Sequence, residues 1–430
     1  MVHVRYGRAV AVAPRTQVIR GDGMRRTNLG ALLREVHQGA CTRSALVERT
    51  GLTRAAIGAL LGVLGDAGLV TEGGGDEPAA GPRRPGRPSH VVSGDPRAAV
   101  LACEVTADAL SLAVIGLGGR VVARSSVDHV VTHSPDDDDR PLADPGEAMA
   151  ATTPTAIAER LGREASTLLH GLPVGTVLCG VGVAVAGVVE RASGRVVVAP
   201  NLGWSDVAVG ALVREVLGGA LPVSVANEAD LGLLAESRRG AAVGVHDVVY
   251  VSAEAGVGGG VLVGGRPVHG VGGYAGELGH LPIRLEGEPC RCGSRGCWET
   301  EIGEAALLRR AGRSPATGRR GVVWLETRAR VGDERAAAAF AETGRWVGAG
   351  LAGLVNLLNP EAAVLGGYLA SAFDLVAPTL LDELSARSLA VARDGVRVVP
   401  ARLGADAALI GAAELAFERV LADPLSFARA

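Results

Sequence analysis

The chain is poor in aromatics. Four Trp, four Tyr and four Phe account for 3% of 430 residues, while 48% are apolar and glycine alone contributes 62. That is a soluble globular composition. No apolar run reaches the roughly 18 residues of a membrane-spanning helix, and no secretory signal pattern opens the chain. Basic excess is also missing: the formal net charge is −3. A uniformly basic nucleic-acid binder is thereby excluded, and any such contact must come from a local patch. Of six cysteines, Cys41, Cys103 and Cys179 are scattered with no pairing pattern. They read as reduced core thiols in a cytoplasmic protein. No tandem repeat is present. The length predicts two or three domains.

The other three cysteines are clustered. The stretch from Gly270 to Glu299 holds His280, then Cys290, Cys292 and Cys297 in C-x-C-x4-C spacing. Three thiolates and one imidazole complete a tetrahedral shell for Zn2+, and four protein ligands leave no open position for a catalytic water. The ion would therefore be structural. Gly293 and Gly296 allow a tight fold around it. The competing reading, ordinary buried cysteines, does not account for their clustering between glycines. Glu277 and Glu299 flank the ligands.

The first 23 residues lack helical periodicity and read as a disordered arm carrying Arg5, Arg8, Arg15 and Arg20. Met24 is an alternative start. From Arg25 to Val36, apolar residues at Leu29, Leu32, Leu33 and Val36 follow the spacing of an amphipathic helix. A second helix is predicted over Ser44–Thr50. Gly51-Leu52 makes a tight turn, and Thr53 caps a third helix running from Arg54 to about Ala67. Helix, short turn, helix is the helix-turn-helix arrangement, whose second member enters the major groove of double-stranded DNA. The stretch Ser44–Ile57 resembles that of winged repressors, so residues 24–95 are expected to form a winged helix-turn-helix domain. Ser44, Thr53 and Arg54 are its candidate DNA contacts. The competing reading is a helical bundle with no DNA role.

Gly68-Leu69-Val70 leads toward a wing. The segment Gly73–Ser89 is rich in Pro and Gly and carries Arg83, Arg84 and Arg87. It reads as a linker or wing tip. Its arginines suit a narrow minor groove, against the plainer reading of a solvated linker.

From Ala98 the pattern changes to short apolar runs at 100–105, 110–115 and from Arg120. This strand-turn-strand-turn-strand beginning is that of the actin-like ATPase (ribonuclease H-like) fold. A polar loop at 132–147 and a helix over about 147–170 follow. Strands are predicted at 177–189, within 196–204, and at 221–226. Asn227-Glu228-Ala-Asp230 opens a helix reaching Glu236. A strand at 247–253, a glycine hairpin at 256–265, helices to Leu358, a strand at 359–367 and a last helix from Gly404 complete an α/β body. Its lobes are expected at 96–226 and 227–420, the second holding the zinc loop and the C-terminal helices.

Gly273-Tyr-Ala-Gly276-Glu277-Leu-Gly279-His280, followed by Cys290-x-Cys-Gly-x-x-Gly-Cys297-x-Glu299, resembles the signature of the ROK family. That family joins sugar kinases to sugar-responsive transcription repressors. The resemblance covers about 25–420. It implies that His280 is both zinc ligand and sugar contact, and that Glu277 and Glu299 bind sugar hydroxyls. It also implies that Pro200-Asn201-Leu202 lies near the sugar and Gly366-Gly367 at the place of a nucleotide.

Two departures favour a repressor over a kinase. The kinases carry Asp-x-Gly-Gly-Thr in the first hairpin, where backbone amides meet phosphate. This chain has Glu104-Val105-Thr106-Ala107-Asp108. The kinase pair Asn-Asp, whose aspartate is the general base, stands as Asn227-Glu228. One added methylene displaces the carboxylate by about 1 Å, which can cost on the order of a hundredfold in rate. The second glycine loop, Ala255–Gly260, is partly kept.

The chain is thus expected to be a non-enzymatic transcriptional regulator of carbohydrate genes, acting as a homodimer or homotetramer on a pseudo-palindromic operator. A sugar or sugar phosphate would bind through Asn227, Glu228, Glu277, His280 and Glu299. The alternative is an ATP-dependent sugar kinase that kept a DNA-binding head. A milder one is a regulator answering to a protein partner.

Overall fold

A computed structural model describes residues 21–73, 90–129 and 152–427. The head begins with α1 (Gly21–Gln38), so the helix starts inside the segment expected to be an arm; residues 1–20 lie outside the described ones. After β1 (Cys41–Thr42), α2 (Arg43–Thr50) is capped by Thr42, whose hydroxyl accepts the Ala45 N–H at 3.2 Å. It stops at Gly51, whose left-handed φ of 69° few other residues adopt. Next, α3 (Arg54–Asp66) is capped by Thr53, which accepts the Ala56 N–H at 3.2 Å. Leu29, Leu32, Leu33, Leu46, Ile57 and Leu64 are all buried where the three helices meet.

β2 (Val70–Gly73) and β3 (Val91–Gly94) pair antiparallel, and β1 adds to β3. Residues 74–89 therefore join two paired strands of a wing rather than linking head to body. Arg83, Arg84 and Arg87 fall there, outside the described residues. The link to the body is only Asp95–Arg97, since β4 starts at Ala98.

The first lobe is a five-stranded sheet in the order β11-β7-β4-β5-β6. It comprises β4 (Ala98–Val105), β5 (Ala109–Gly116), β6 (Val121–Asp128), β7 (Val177–Val185) and β11 (Val223–Asn227). Between them come the smaller sheet of β8 (Val188–Glu190), β9 (Arg195–Ala199) and β10 (Trp204–Val207). The strand expected over 177–189, ending at Ala186-Gly187, runs to Val185, and β8 follows as a separate strand. Between the two, Gly187 passes so close to β9 that an added Cβ would lie 2.6 Å from the Val198 carbonyl oxygen.

α4 (Pro154–His170) and α5 (Val209–Val216) cover one face of the main sheet through Ile157, Leu161, Val209 and Val213. α4 begins later than 147, at Pro154, because Thr153 caps it and proline suits a first turn.

α6 (Glu228–Arg239) leads to the second lobe, another five-stranded sheet in the order β14-β13-β12-β15-β16. These strands are β12 (Val248–Ala253), β13 (Val257–Val263), β14 (Arg266–Pro267), β15 (Ala362–Gly367) and β16 (Arg397–Pro400). The helices α7 (Glu304–Arg310), α8 (Gly318–Arg330), α9 (Glu334–Leu358) and α10 (Phe373–Arg387) surround Trp298, Phe340 and Tyr368.

The last long helix, α11 (Ala407–Ala422), does not belong with the second lobe, which corrects the 227–420 boundary. It lies on the free face of the first sheet, where a Cβ on Gly182 would overlap the Ala412 carbonyl. It also meets α6, where a Cβ on Gly411 would overlap the Leu231 carbonyl. Phe417, Val420 and Leu421 share one core with Leu29, Leu33 and Val36 of the head.

Two glycines test this packing. Gly182→Ala should destabilise the protein by at least about 2 kcal/mol, since sheet and helix backbones cannot both stay in place. Gly58→Ala meets nothing within 4 Å inside α3 and should stabilise by up to about 1 kcal/mol. Denaturant unfolding of both variants reads the contrast.

Candidate ligand cleft and metal cluster

Between the lobes lies a cavity of about 290 Å3. Asn227 ends β11, Glu228 opens α6, and the loop after β14 brings Glu277, His280 and Glu299 to the same opening. All five expected ligand contacts line it. Asn201 and Arg291 line it too, joined by a hydrogen bond from Arg291 to the Asn201 Oδ1. Arg291 was missed in the sequence because it lies between two metal-ligand cysteines; Asn201 had only its place in the Pro-Asn-Leu segment.

The polar groups are already oriented. Asn227 Oδ1 caps α6, accepting from Ala229 N at 2.7 Å and Asp230 N at 3.3 Å. Its Nδ2 donates to the Gly187 carbonyl at 2.9 Å, leaving one N–H for a ligand. Glu299 Oε2 accepts the Val257 N–H at 3.0 Å. Burial raises the Glu277 carboxyl above its usual range, while His280 lowers it and Glu299 raises it further. Asp230, one turn into α6, is pushed up to about 6 by burial.

Below Glu228 the cleft turns acidic. Burial, then Glu254 and Glu104, push the Glu228 carboxyl up to about 8. Burial, then Glu254 and Asp406, do the same to Glu104, also to about 8. Burial carries Glu304 to about 7, with Arg319 opposing. Glu254 packs against Gly367 and accepts the Glu304 N–H on its own carbonyl at 3.0 Å. These acids come from β4, α6, the end of β12 and the start of α7, so only the tertiary fold gathers them.

The β4–β5 turn closes on itself. Thr106 Oγ1 accepts from Ala109 N at 3.1 Å and Asp108 N at 3.3 Å, and Thr106 N–H bonds the Ala109 carbonyl at 3.1 Å. The Thr106, Asp108 and Ala109 amides are thus spent within the turn.

Beside the cleft, ligand atoms of His280, Cys290, Cys292 and Cys297 all lie within 4.8 Å of one another. Cys292 and Cys297 sulfurs are 3.7 Å apart, and Cys290 Sγ is 3.8 Å from His280 Nδ1. A tetrahedral ion with metal–sulfur bonds of about 2.3 Å needs sulfur–sulfur edges of roughly 3.8 Å. The donor set therefore fits a metal ion and could hold one. Burial pushes the Cys290 thiol up to about 12, a cost that a bound cation offsets by ionising its ligands. Cys290 Sγ also lies 3.7 Å from Glu299 Oε1, so cluster and cleft share a wall.

In the head, Thr53 and Arg54 stand exposed at the start of α3, and Ser44 is exposed on α2. Thr53 already spends its hydroxyl on the cap, which leaves Arg54 the freer side chain there.

Two actin-like lobes with a polar cleft between them define a sugar-kinase-like body, here joined to an N-terminal head of three helices and a three-stranded sheet. The chain belongs to the ROK family, whose model matches residues 144–419. It is 26% identical over 401 residues to the xylose repressor of Bacillus spizizenii, covering 93% of this chain and 97% of that one. It is 34% identical over 285 residues to a glucokinase of Streptomyces coelicolor, covering 62% of this chain and 88% of that one. Among solved structures, a ROK family transcriptional regulator described as a homolog of the E. coli MLC protein superposes with a TM-score of 0.70. It is 25% identical and covers 95% of this chain and 100% of its own. Among the described residues no helix is long and apolar enough to cross a membrane.

The raised carboxyls make stability depend on pH. An acid whose folded value lies above its unfolded one holds its proton more tightly when folded. Its stabilisation is full below the ordinary range and is lost as pH rises toward about 8. Thermal unfolding should therefore move to lower temperature between pH 5 and pH 8.5, and Glu228→Gln should flatten that slope.

Proposed function

We propose that the protein is a sugar-responsive transcriptional repressor of carbohydrate genes that has no kinase activity. The observation that carries this is the self-closed β4–β5 turn. The Asp108 and Ala109 amides are committed to the Thr106 hydroxyl, and the interacting carboxyls of Glu104, Glu228 and Glu254 offer no positive charge to a triphosphate. The head sharing a core with the body, and the near full-length match to a xylose repressor, support the same reading. A sugar or sugar phosphate would bind through Glu277, His280, Glu299, Glu228 and the free amide proton of Asn227. Its charge is met at the mouth by Arg291.

The ion at the cluster would be Zn2+ in a structural role, fixing His280 and the chain that carries Glu277 and Glu299. His280 would then turn Nδ1 to the metal and leave Nε2 for the ligand. The protein would work in the cytoplasm as a homodimer or homotetramer, two heads reading successive half-sites about one helical turn apart on double-stranded DNA. Arg54 would reach base edges or phosphate, and Ser44, Thr53, Arg83, Arg84 and Arg87 are the other proposed DNA contacts.

The second reading, a sugar kinase with a DNA-binding head, rests on Glu228 at the base position and on the glycines of β13.

Purified protein should contain one zinc per chain by elemental analysis. Cys297→Ser should lose it, unfold at lower temperature and bind sugar more weakly. A genomic binding map should return a palindromic site, and Arg54→Ala should weaken binding to it by about 1–3 kcal/mol. Incubation with ATP, Mg2+ and hexoses should give no phosphorylated product; turnover that disappears in Glu228→Ala would establish the kinase instead.

A further inference from the structure

α6 joins the two ends of the machine. Its first residue is Glu228 in the cleft, and its last, Arg238 and Arg239, lie at the joint between body and head. Twelve residues of helix span about 18 Å. Nothing soft flanks it: Gly411 brings the α11 backbone against Leu231, and a Cβ on Gly232 would sit 2.7 Å from the Tyr250 hydroxyl.

At the far end one buried carboxylate collects partners from two other elements. Glu414 of α11 pairs with Arg239, with Arg238 at 3.2 Å, and with His37 of α1 at 3.1 Å. Arg238 also reaches Glu418 at 3.0 Å. Arg239 donates to the Gly118 carbonyl at 3.0 Å and to the His37 carbonyl at 3.1 Å, the last turn of the head's first helix. His37 is fixed on both ring nitrogens. Nδ1 accepts the Gly118 N–H at 3.1 Å, while Nε2 lies 3.1 Å from Glu414 Oε2 and 2.9 Å from an Arg239 guanidinium nitrogen. Phe417 packs on its ring at 4.8 Å.

A cavity of about 330 Å3 opens beside this knot, lined by Arg34, Gln38, Arg238, Arg239, Glu414 and Glu418 among others. Resting on the effector reading above, we infer that α6 transmits cleft occupancy to the head. Arg239 is the positioning residue that fixes α1 through His37 and Glu414.

A ligand drawing on Glu228 and Asn227 pulls the start of α6. Its end then shifts into the neighbouring cavity, and several short polar contacts made by one guanidinium are lost together. Buried polar networks of this kind change in discrete steps. Because α1 packs on α3, the recognition helix moves with it. The burial that raises the Glu414 carboxyl is outweighed by His37 and the two arginines, which hold it down at about 2. Glu414 thus stays ionised at any physiological pH.

The test measures coupling, which a merely structural role would not move selectively. Operator affinity is titrated by fluorescence anisotropy on the fragment recovered from the binding map, with and without D-xylose, D-glucose or glucose 6-phosphate. Sugar affinity is measured with and without that fragment. In the wild type the two ratios should agree, typically within the 5- to 150-fold range of allosteric coupling. Arg239→Gln should keep both single affinities within about threefold while the coupling ratio falls toward one. Arg239→Lys should restore part of it.

His37→Gln, which keeps a side-chain donor, serves as the second variant should Arg239→Gln fail to fold. Full wild-type coupling in folded Arg239→Gln, or in His37→Gln where that variant replaces it, overturns the transmission proposal alone. A wild type that responds to no sugar overturns the effector reading and this inference with it.

Discussion

The molecule depends on how closely the backbone of α11 can lie against its neighbours. At Gly182 the helix rests on the strand itself, at Gly411 it rests on α6, and Gly30 lets α1 come to within 2.7 Å of the Leu421 carbonyl, measured from where a Cβ would stand. Such contacts leave no side chain between elements to absorb a displacement, and a close-packed interior passes strain on. The scarcity of aromatics fits this construction. Between sheet, α6, α11 and head, the buried residues are mostly Ala, Val and Leu, with Phe417 among them.

Electrostatics divides the cleft in two. The outer half, beside the cysteine cluster, is lined by Asn227, Glu277, His280 and Glu299 together with Arg291. The inner half gathers carboxylates that burial holds near neutrality. A polyanion entering there would face acids and a turn whose amides are already used. A neutral, hydroxyl-rich ligand in the outer half meets neither obstacle.

Much of this was legible along the chain. The spacing of Leu29, Leu32, Leu33 and Val36, the Thr53 cap and the C-x-C-x4-C run are local patterns, and each lies where its spacing predicts. The absence of glycine at Thr106-Ala107 was visible, but not that the Thr106 hydroxyl would occupy the neighbouring amides. What could not be read was long-range. His37 and Glu414 are 377 positions apart, and a lone histidine at the end of an amphipathic helix carries no mark of its partner. For the same reason α11 was expected with the second lobe: its apolar periodicity says that it packs, not upon which sheet. The composition of the Arg-Pro segment suits linker and wing tip alike, and only the pairing of β2 with β3 shows that its two ends belong to one sheet.

The shared core between α1 and α11 has a consequence for ancestry. A reading head is often treated as a cassette that can be moved from one sensor to another. Here the cassette's first helix is completed by the final long helix of the chain, and its tether is three residues, with Arg97 bonded back to buried Asp95 at 2.6 Å. Exchanging the head alone would strand Leu29 and Leu33 against a foreign surface. Recombination within such a lineage therefore has to carry the two termini as one inherited unit, however far apart they are written in the gene.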